Sequence, residues 1–154
     1  MKAVTGDLLN LAEAGMFDVI IHGCNCLCNM GSGIAKTVKN RYPQAFKADC
    51  ETVKGDREKL GDYTYSLVGK NKDIILINAY TQYSYSRDKV DVDYDAVRNV
   101  FSKIKRDYSK KKIGYPLIGA GLAGGDWEII EAIINEELDG EDHTLVRFEP
   151  DIKI

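Results

Sequence analysis

The chain alternates short, β-branched apolar runs with longer amphipathic stretches, and this alternation limits its possible folds more than any other feature. Val19-Ile20-Ile21, Ile74-Ile75-Leu76-Ile77, Ile113 to Ile118 and Leu145-Val146-Arg147-Phe148 have the length and composition of strands. The first two lack polar alternation, which predicts burial on both faces. Met1 to Thr5 and Tyr63 to Val68 are weaker strand candidates. Between these runs, Ile34 to Tyr42 carries Ile34 and Val38 on one side and lysines on the other, and Pro43 marks its end. In Tyr94 to Tyr108, Val97, Phe101, Ile104 and Tyr108 recur at helical spacing, with Asp93 or Asp95 as the cap. Trp127, Ile130, Ile133, Ile134 and Leu138 form a third stripe, entered through Asp126 as N-cap and left at Gly140, with Trp127 in the core. Strands interleaved with helices predict an α/β domain. Its sheet is mixed or largely parallel and covered on both faces, and ligands bind in loops after the strand carboxyl ends.

A length of 154 residues fits one domain spanning 1–154. The formal net charge of −3 disfavours strong non-specific nucleic-acid binding. The lysine-rich run Lys103 to Lys112 reads as the solvated end of a helix. A compact anion remains accessible, because backbone N–H groups and helix starts hold phosphate without net positive charge. The N-terminus has no apolar run of signal-peptide length and no later stretch reaches the ~20 apolar residues of a spanning helix. The expectation is a cytoplasmic protein with no membrane partner. Cys24, Cys26 and Cys28 alternate and Cys50 lies apart, with no C-x-x-C pair and with His22 and His143 far apart in sequence. Reduced thiols, with no metal and no cofactor, are the expectation.

Two glycine-rich stretches each follow a strand and precede a helix: Asn25 to Ala35, containing Gly31-Ser32-Gly33, and Gly119-Ala120-Gly121-Leu122-Ala123-Gly124-Gly125. Glycine permits close backbone approach, and a helix start offers unpaired N–H groups to an anion. A pair of such loops suits two linked phosphates. Neither has the Gly-Lys-Ser/Thr ending of a P-loop, and the first departs from G-x-G-x-x-G, which disfavours P-loop nucleotide hydrolysis.

Four segments in order, Val4-Thr5-Gly6-Asp7-Leu8-Leu9, Asp18 to Asn25, Met30-Gly31-Ser32-Gly33-Ile34-Ala35 and Pro116 to Leu122, resemble the successive signatures of the macro domain family. The resemblance implies a three-layer α/β/α sandwich with a mixed central sheet and ADP-ribose across its top. It implies that Asp7 accepts the adenine amino group with Leu8 beside the ring, and that Phe148 flanks the adenine. It further implies that Gly31, Ser32, Gly33 and Ile34 wrap the distal ribose and a phosphate, that Gly119, Ala120, Gly121, Leu122 and Ala123 close over the pyrophosphate, and that Asn25 bonds the distal ribose. Competing structural roles are a helix cap for Asp7, a turn bond for Asn25 and core packing for Phe148.

Ile21-His22-Gly23-Cys24-Asn25-Cys26 resembles the subgroup that dephosphorylates ADP-ribose-1″-phosphate. Imidazole titrates near neutrality, so His22, with Asn25, is the candidate for activating water or protonating the leaving oxygen. The alternative is a buried histidine bonded to backbone. Ala35 and Ala123 stand where other macro domain subgroups carry catalytic Asp, and no lysine lies near Asn78 to Gln82. Tyr80, Thr81 and Gln82 follow a buried strand and are expected to reach the cleft. The reading is therefore an ADP-ribose-1″-phosphate phosphatase. The alternatives are an ADP-ribosyl ester hydrolase acting on ADP-ribosylated macromolecules and a non-catalytic ADP-ribose reader.

Overall fold

The computed structural model describes residues 1–86 and 89–149, so positions 87–88 and 150–154 of the expected single domain lie outside the described residues. Its six strands are β1 (Lys2–Gly6), β2 (Val19–Cys24), β3 (Tyr63–Val68), β4 (Ile74–Tyr80), β5 (Ile113–Tyr115) and β6 (His143–Phe148). They lie in the order β1-β6-β5-β2-β4-β3. All neighbours are parallel except β3, which runs antiparallel to β4 at one edge, so the sheet is mixed.

The pleat of each strand sorts its residues between two helical layers. Val19 and Ile21 of β2 join Ile77 and Ala79 of β4 under α4 (Tyr94–Tyr108) and α5 (Trp127–Glu137), where Val97, Phe101, Ile104, Ile130 and Ile134 are buried. Ile20 and Leu76 face the other way, toward α1 (Leu8–Glu13), α2 (Gly33–Arg41) and α3 (Pro43–Cys50). Each such side chain fully removed from water contributes roughly 1.5–3 kcal/mol relative to exposure. The result is the three-layer α/β/α sandwich that the resemblance implies. Among the described residues, no helix is long and apolar enough to cross a membrane.

Two departures from expectation occur at proline. Pro43 ends α2 but also opens α3, because a first-turn residue needs no N–H donor and its fixed φ suits the helix start. The expected strand Ile113 to Ile118 stops at Tyr115, since Pro116 cannot donate to the ladder; the chain then turns, with Ile118 N–H donating to the Pro116 carbonyl at 2.7 Å.

The site-forming consequence lies at β2 and β5, which are neighbours in the sheet. From β2 the chain passes to α2 on one face, and from β5 to α5 on the other. Such a reversal opens a crevice beyond the strand carboxyl ends.

Candidate functional site

Both glycine-rich loops border that crevice. One part, with a volume of 330 Å³, is lined by Asn25, Gly31, Ser32, Gly33 and Ile34 from the first loop and by Gly119, Gly121, Leu122 and Ala123 from the second. An adjoining part of 420 Å³ is lined by Asp7, Leu8, Thr37, Val146 and Phe148. Gly33, Ile34, Pro116, Val146 and Phe148 border both parts, so the two adjoin along these residues.

The loops present backbone donors. Ser32 occupies the N-cap of α2 without a side-chain bond, which leaves the first-turn N–H groups of the helix toward the cleft. Gly33 and Gly119 hold φ of 59° and 73°, a region that favours glycine. The second loop closes on itself, with Gly124 N–H on the Gly121 carbonyl at 3.1 Å and Gly125 N–H on the Gly119 carbonyl at 2.7 Å. A Cβ on Gly125 would stand 2.6 Å from the Gly119 oxygen, so the turn leaves no room for a side chain there.

Asn25 organises the first loop from within. Its Oδ1 accepts from Leu27 N–H and its Nδ2 donates to the Asn29 carbonyl, both at 2.9 Å. The turn-bracing role expected of Asn25 is therefore seen, and the residue also lines the cleft. Asp7 likewise caps α1 by accepting from Asn10 N–H at 3.0 Å while bordering the cleft. Phe148 is 74% exposed and forms cleft wall rather than core. Ala120 does not line the cleft and packs against the core beneath α4 and α5.

His22 is not brought into the cleft. It points from β2 to the α2–α3 side, is 2% exposed, and its Nε2 lies 2.7 Å from Asn78 Oδ1. Asn78 Nδ2 donates to the Ala45 carbonyl at 3.0 Å, which fixes Oδ1 as the acceptor and Nε2 of His22 as the protonated nitrogen. Burial lowers the imidazole pKa to about 4, with the Asn78 bond opposing the shift. His22 is buried, is hydrogen-bonded to Asn78 and borders neither part of the crevice, so its placement favours the buried-histidine alternative over direct acid–base work.

Of the residues after β4, Gln82 lines the cleft, whereas Tyr80 turns to Asp49 Oδ1 at 2.8 Å and Thr81 is buried beneath Gly23. Strand alternation separates these neighbours. Asn29 and Tyr85 carry no predicted role of their own in the sequence, yet both border the cleft, with Asn29 Nδ2 donating to Tyr85 Oη at 3.3 Å. A signal for Tyr85 does exist, since it follows a buried parallel strand at its carboxyl end. Asp126 serves as the N-cap of α5 through a 2.9 Å bond from Glu128 N–H.

No His, Lys or Arg borders either part of the crevice among the described residues, and Asp7 is the carboxylate that does. The donors that this lining offers an anion are N–H groups, with the amides of Asn25, Asn29 and Gln82 in the part that Asp7 does not border. The thiols are free, and no group of three or more His, Cys, Asp or Glu converges as a metal site among the described residues.

Comparison with known proteins agrees with this architecture. The chain is 32% identical to an uncharacterized 17.5 kDa protein of enterobacteria phage T4, over 97% of both chains. It is 24% identical to an ADP-ribose 1″-phosphate phosphatase of Debaryomyces hansenii, over 88% of this chain and 93% of that one. The macrodomain of Mycobacterium tuberculosis DarG superimposes with a TM-score of 0.73 at 23% identity, covering 97% of each chain. The profile of the macro domain matches residues 21–134, and the chain belongs to the macro domain family.

Proposed function

We propose that the crevice binds ADP-ribose and that the protein hydrolyses ADP-ribose-1″-phosphate to ADP-ribose and inorganic phosphate. The single observation carrying the binding reading is the pair of glycine loops facing one another across a two-part crevice. In this reading adenine lies against Asp7, Leu8 and Phe148, the diphosphate lies between the 31–34 and 119–123 loops, and the distal ribose lies beside Asn25. The phosphatase step draws on the similarity to the yeast enzyme and on the amides of Asn25 and Gln82 at the distal end.

Without His22, the step relies on backbone N–H groups stabilising the phosphoryl oxygens as water attacks phosphorus and the bond to the C1″ oxygen breaks. That oxygen belongs to a hemiacetal, a better leaving group than an ordinary alkoxide, so a strong general acid is less needed. Gln82 Oε1 is suited to orient the attacking water, because its Nε2 is engaged by the Ser84 carbonyl at 2.7 Å. The water's proton passes to the leaving oxygen through solvent.

The absence of His, Lys and Arg from the described lining favours a second reading, a binding module without turnover. Phosphate release from ADP-ribose-1″-phosphate, with ADP-ribose binding by calorimetry on the same sample, separates the two. Release that falls at least roughly tenfold in Gln82→Ala with binding retained supports the phosphatase. Binding with no release selects the module, and loss of both overturns the ligand itself.

A further inference from the structure

Beneath the first loop lies a cationic side chain that the sequence places in a polar, exposed-looking run, Asp56-Arg57-Glu58-Lys59. Lys59 closes a 3₁₀ turn (Arg57–Lys59), yet it is only 8% exposed. Its Nζ donates to Thr52 Oγ1 at 2.6 Å and to the Cys26 carbonyl at 3.3 Å, and lies 3.7 Å from Cys28 Sγ. The ammonium also sits 4.7 Å from the Tyr80 ring centroid. Its carboxylate partner is Asp49, whose Oδ1 is 4.0 Å away and already accepts from Tyr80 Oη, while Oδ2 has no hydrogen-bond partner.

Burying an ammonium costs several kcal/mol, more than one long ion pair returns, so an apolar side chain in the same space would serve stability at least as well. What the charge adds is directional hold on the loop. Cys26 and Cys28 lie between Asn25 and Asn29, two residues that border the cleft. Cys28 takes φ 53°, a costly region for a residue with a Cβ that persists when the surroundings enforce it. Further straps share the duty: Gly55 N–H donates to the Cys26 carbonyl at 2.7 Å, and Cys26 N–H donates to the Tyr83 carbonyl at 3.0 Å.

We propose that Lys59 is a positioning residue of the ligand site, its buried ammonium holding the 25–31 loop from below so that Asn25 and the start of α2 face the distal half of the ligand. The proposal rests on the ADP-ribose reading for what fills that half. It assigns Lys59 no contact with substrate. Its effect is therefore confined to ligands long enough to reach Asn25.

The test compares wild type with Lys59→Met and with Lys59→Met/Asp49→Asn, the second removing the carboxylate that the first leaves buried without a cation. Calorimetry measures ADP-ribose and AMP, the latter filling only the Asp7 end. Amide hydrogen exchange follows residues 26–31 without ligand. The expected result in the double variant is roughly tenfold weaker ADP-ribose binding, AMP binding within about twofold of wild type, and faster exchange confined to the loop. Unchanged ADP-ribose affinity, or equal weakening of AMP, overturns the proposal. If wild type binds neither nucleotide, the ADP-ribose reading fails, and loop exchange alone then decides the clamp: unchanged exchange overturns it.

Discussion

Replacing His22 with Asn should remove a specific portion of the protein's acid sensitivity. In the folded chain burial holds the imidazole pKa near 4, against 6.5 for an ordinary histidine. The unfolded chain therefore binds the proton first. Above pH 6.5 both states are neutral and the group adds no pH dependence. As pH falls from 6.5 toward 4 the unfolded state is favoured, and below 4 the loss stops growing. The gap corresponds to about 3 kcal/mol in total, and about 2 kcal/mol of it falls between pH 7 and pH 5. Asn at this position can still donate to Asn78 Oδ1 but does not titrate. The variant starts from lower stability at pH 7 because part of the packed ring is gone, so the slopes are compared, not the absolute values. His143, whose pKa burial also lowers, is present in both proteins and cancels. Urea unfolding at pH 7, 6 and 5 provides the measurement, with the wild type losing about 2 kcal/mol more than His22→Asn across that range. Parallel slopes, or an NMR titration of His22 near its ordinary value, would refute the buried-neutral assignment and reopen a catalytic one.

Asp7→Ala and Asp126→Ala each remove an N-cap bond and should each cost about 1 kcal/mol in denaturant unfolding, yet only Asp7→Ala should weaken ADP-ribose binding, because Asp7 alone of the two borders the cleft. Equal affinity losses would contradict this division. Gly125→Ala should lower the melting temperature, by about 2 kcal/mol in stability, because its Cβ meets the Gly119 oxygen at 2.6 Å. Gly121→Ala has nothing within 4 Å and should leave stability within about 0.5 kcal/mol while lowering ADP-ribose affinity; melting curves and calorimetry on the two variants check both statements.

The sequence reveals the fold where periodicity and composition agree. The α4 stripe reads directly as Tyr94–Tyr108, and the apolar run at Ile74 begins β4. It is less informative where one residue serves two elements, as at Pro43, or where a short helix such as α3 buries only Ala45 and Asp49 and carries no stripe to read. The loops that border the cleft could be read because glycine patterns are local. The facing of His22 could not, since its neighbours in the sequence match a catalytic signature whichever way the side chain points. Strand parity alone carries the answer: Ile21 is buried under α4 and α5, so His22 must project to the opposite side of the sheet.

That parity also explains why the polar groups behind the sheet and those in the cleft divide their work. His22 bonds Asn78, Asn78 donates to Thr64 Oγ1, and Thr64 Oγ1 lies 3.0 Å from Tyr80 Oη, which donates to Asp49 beside Lys59. This buried chain runs behind the sheet from β2 to the underside of the first loop, and His22 also lies 3.5 Å from the Sγ of Cys24, a residue that borders the crevice. On the proposed binding mode, a change at His22 reaches a bound ligand through its neighbours and the loop position, whereas a change at Asn25 or Gln82 acts at the crevice itself. Activity lost in a His22 variant consequently does not assign acid–base chemistry to the imidazole until the stability slope and the conformation of the loop have been measured on the same protein.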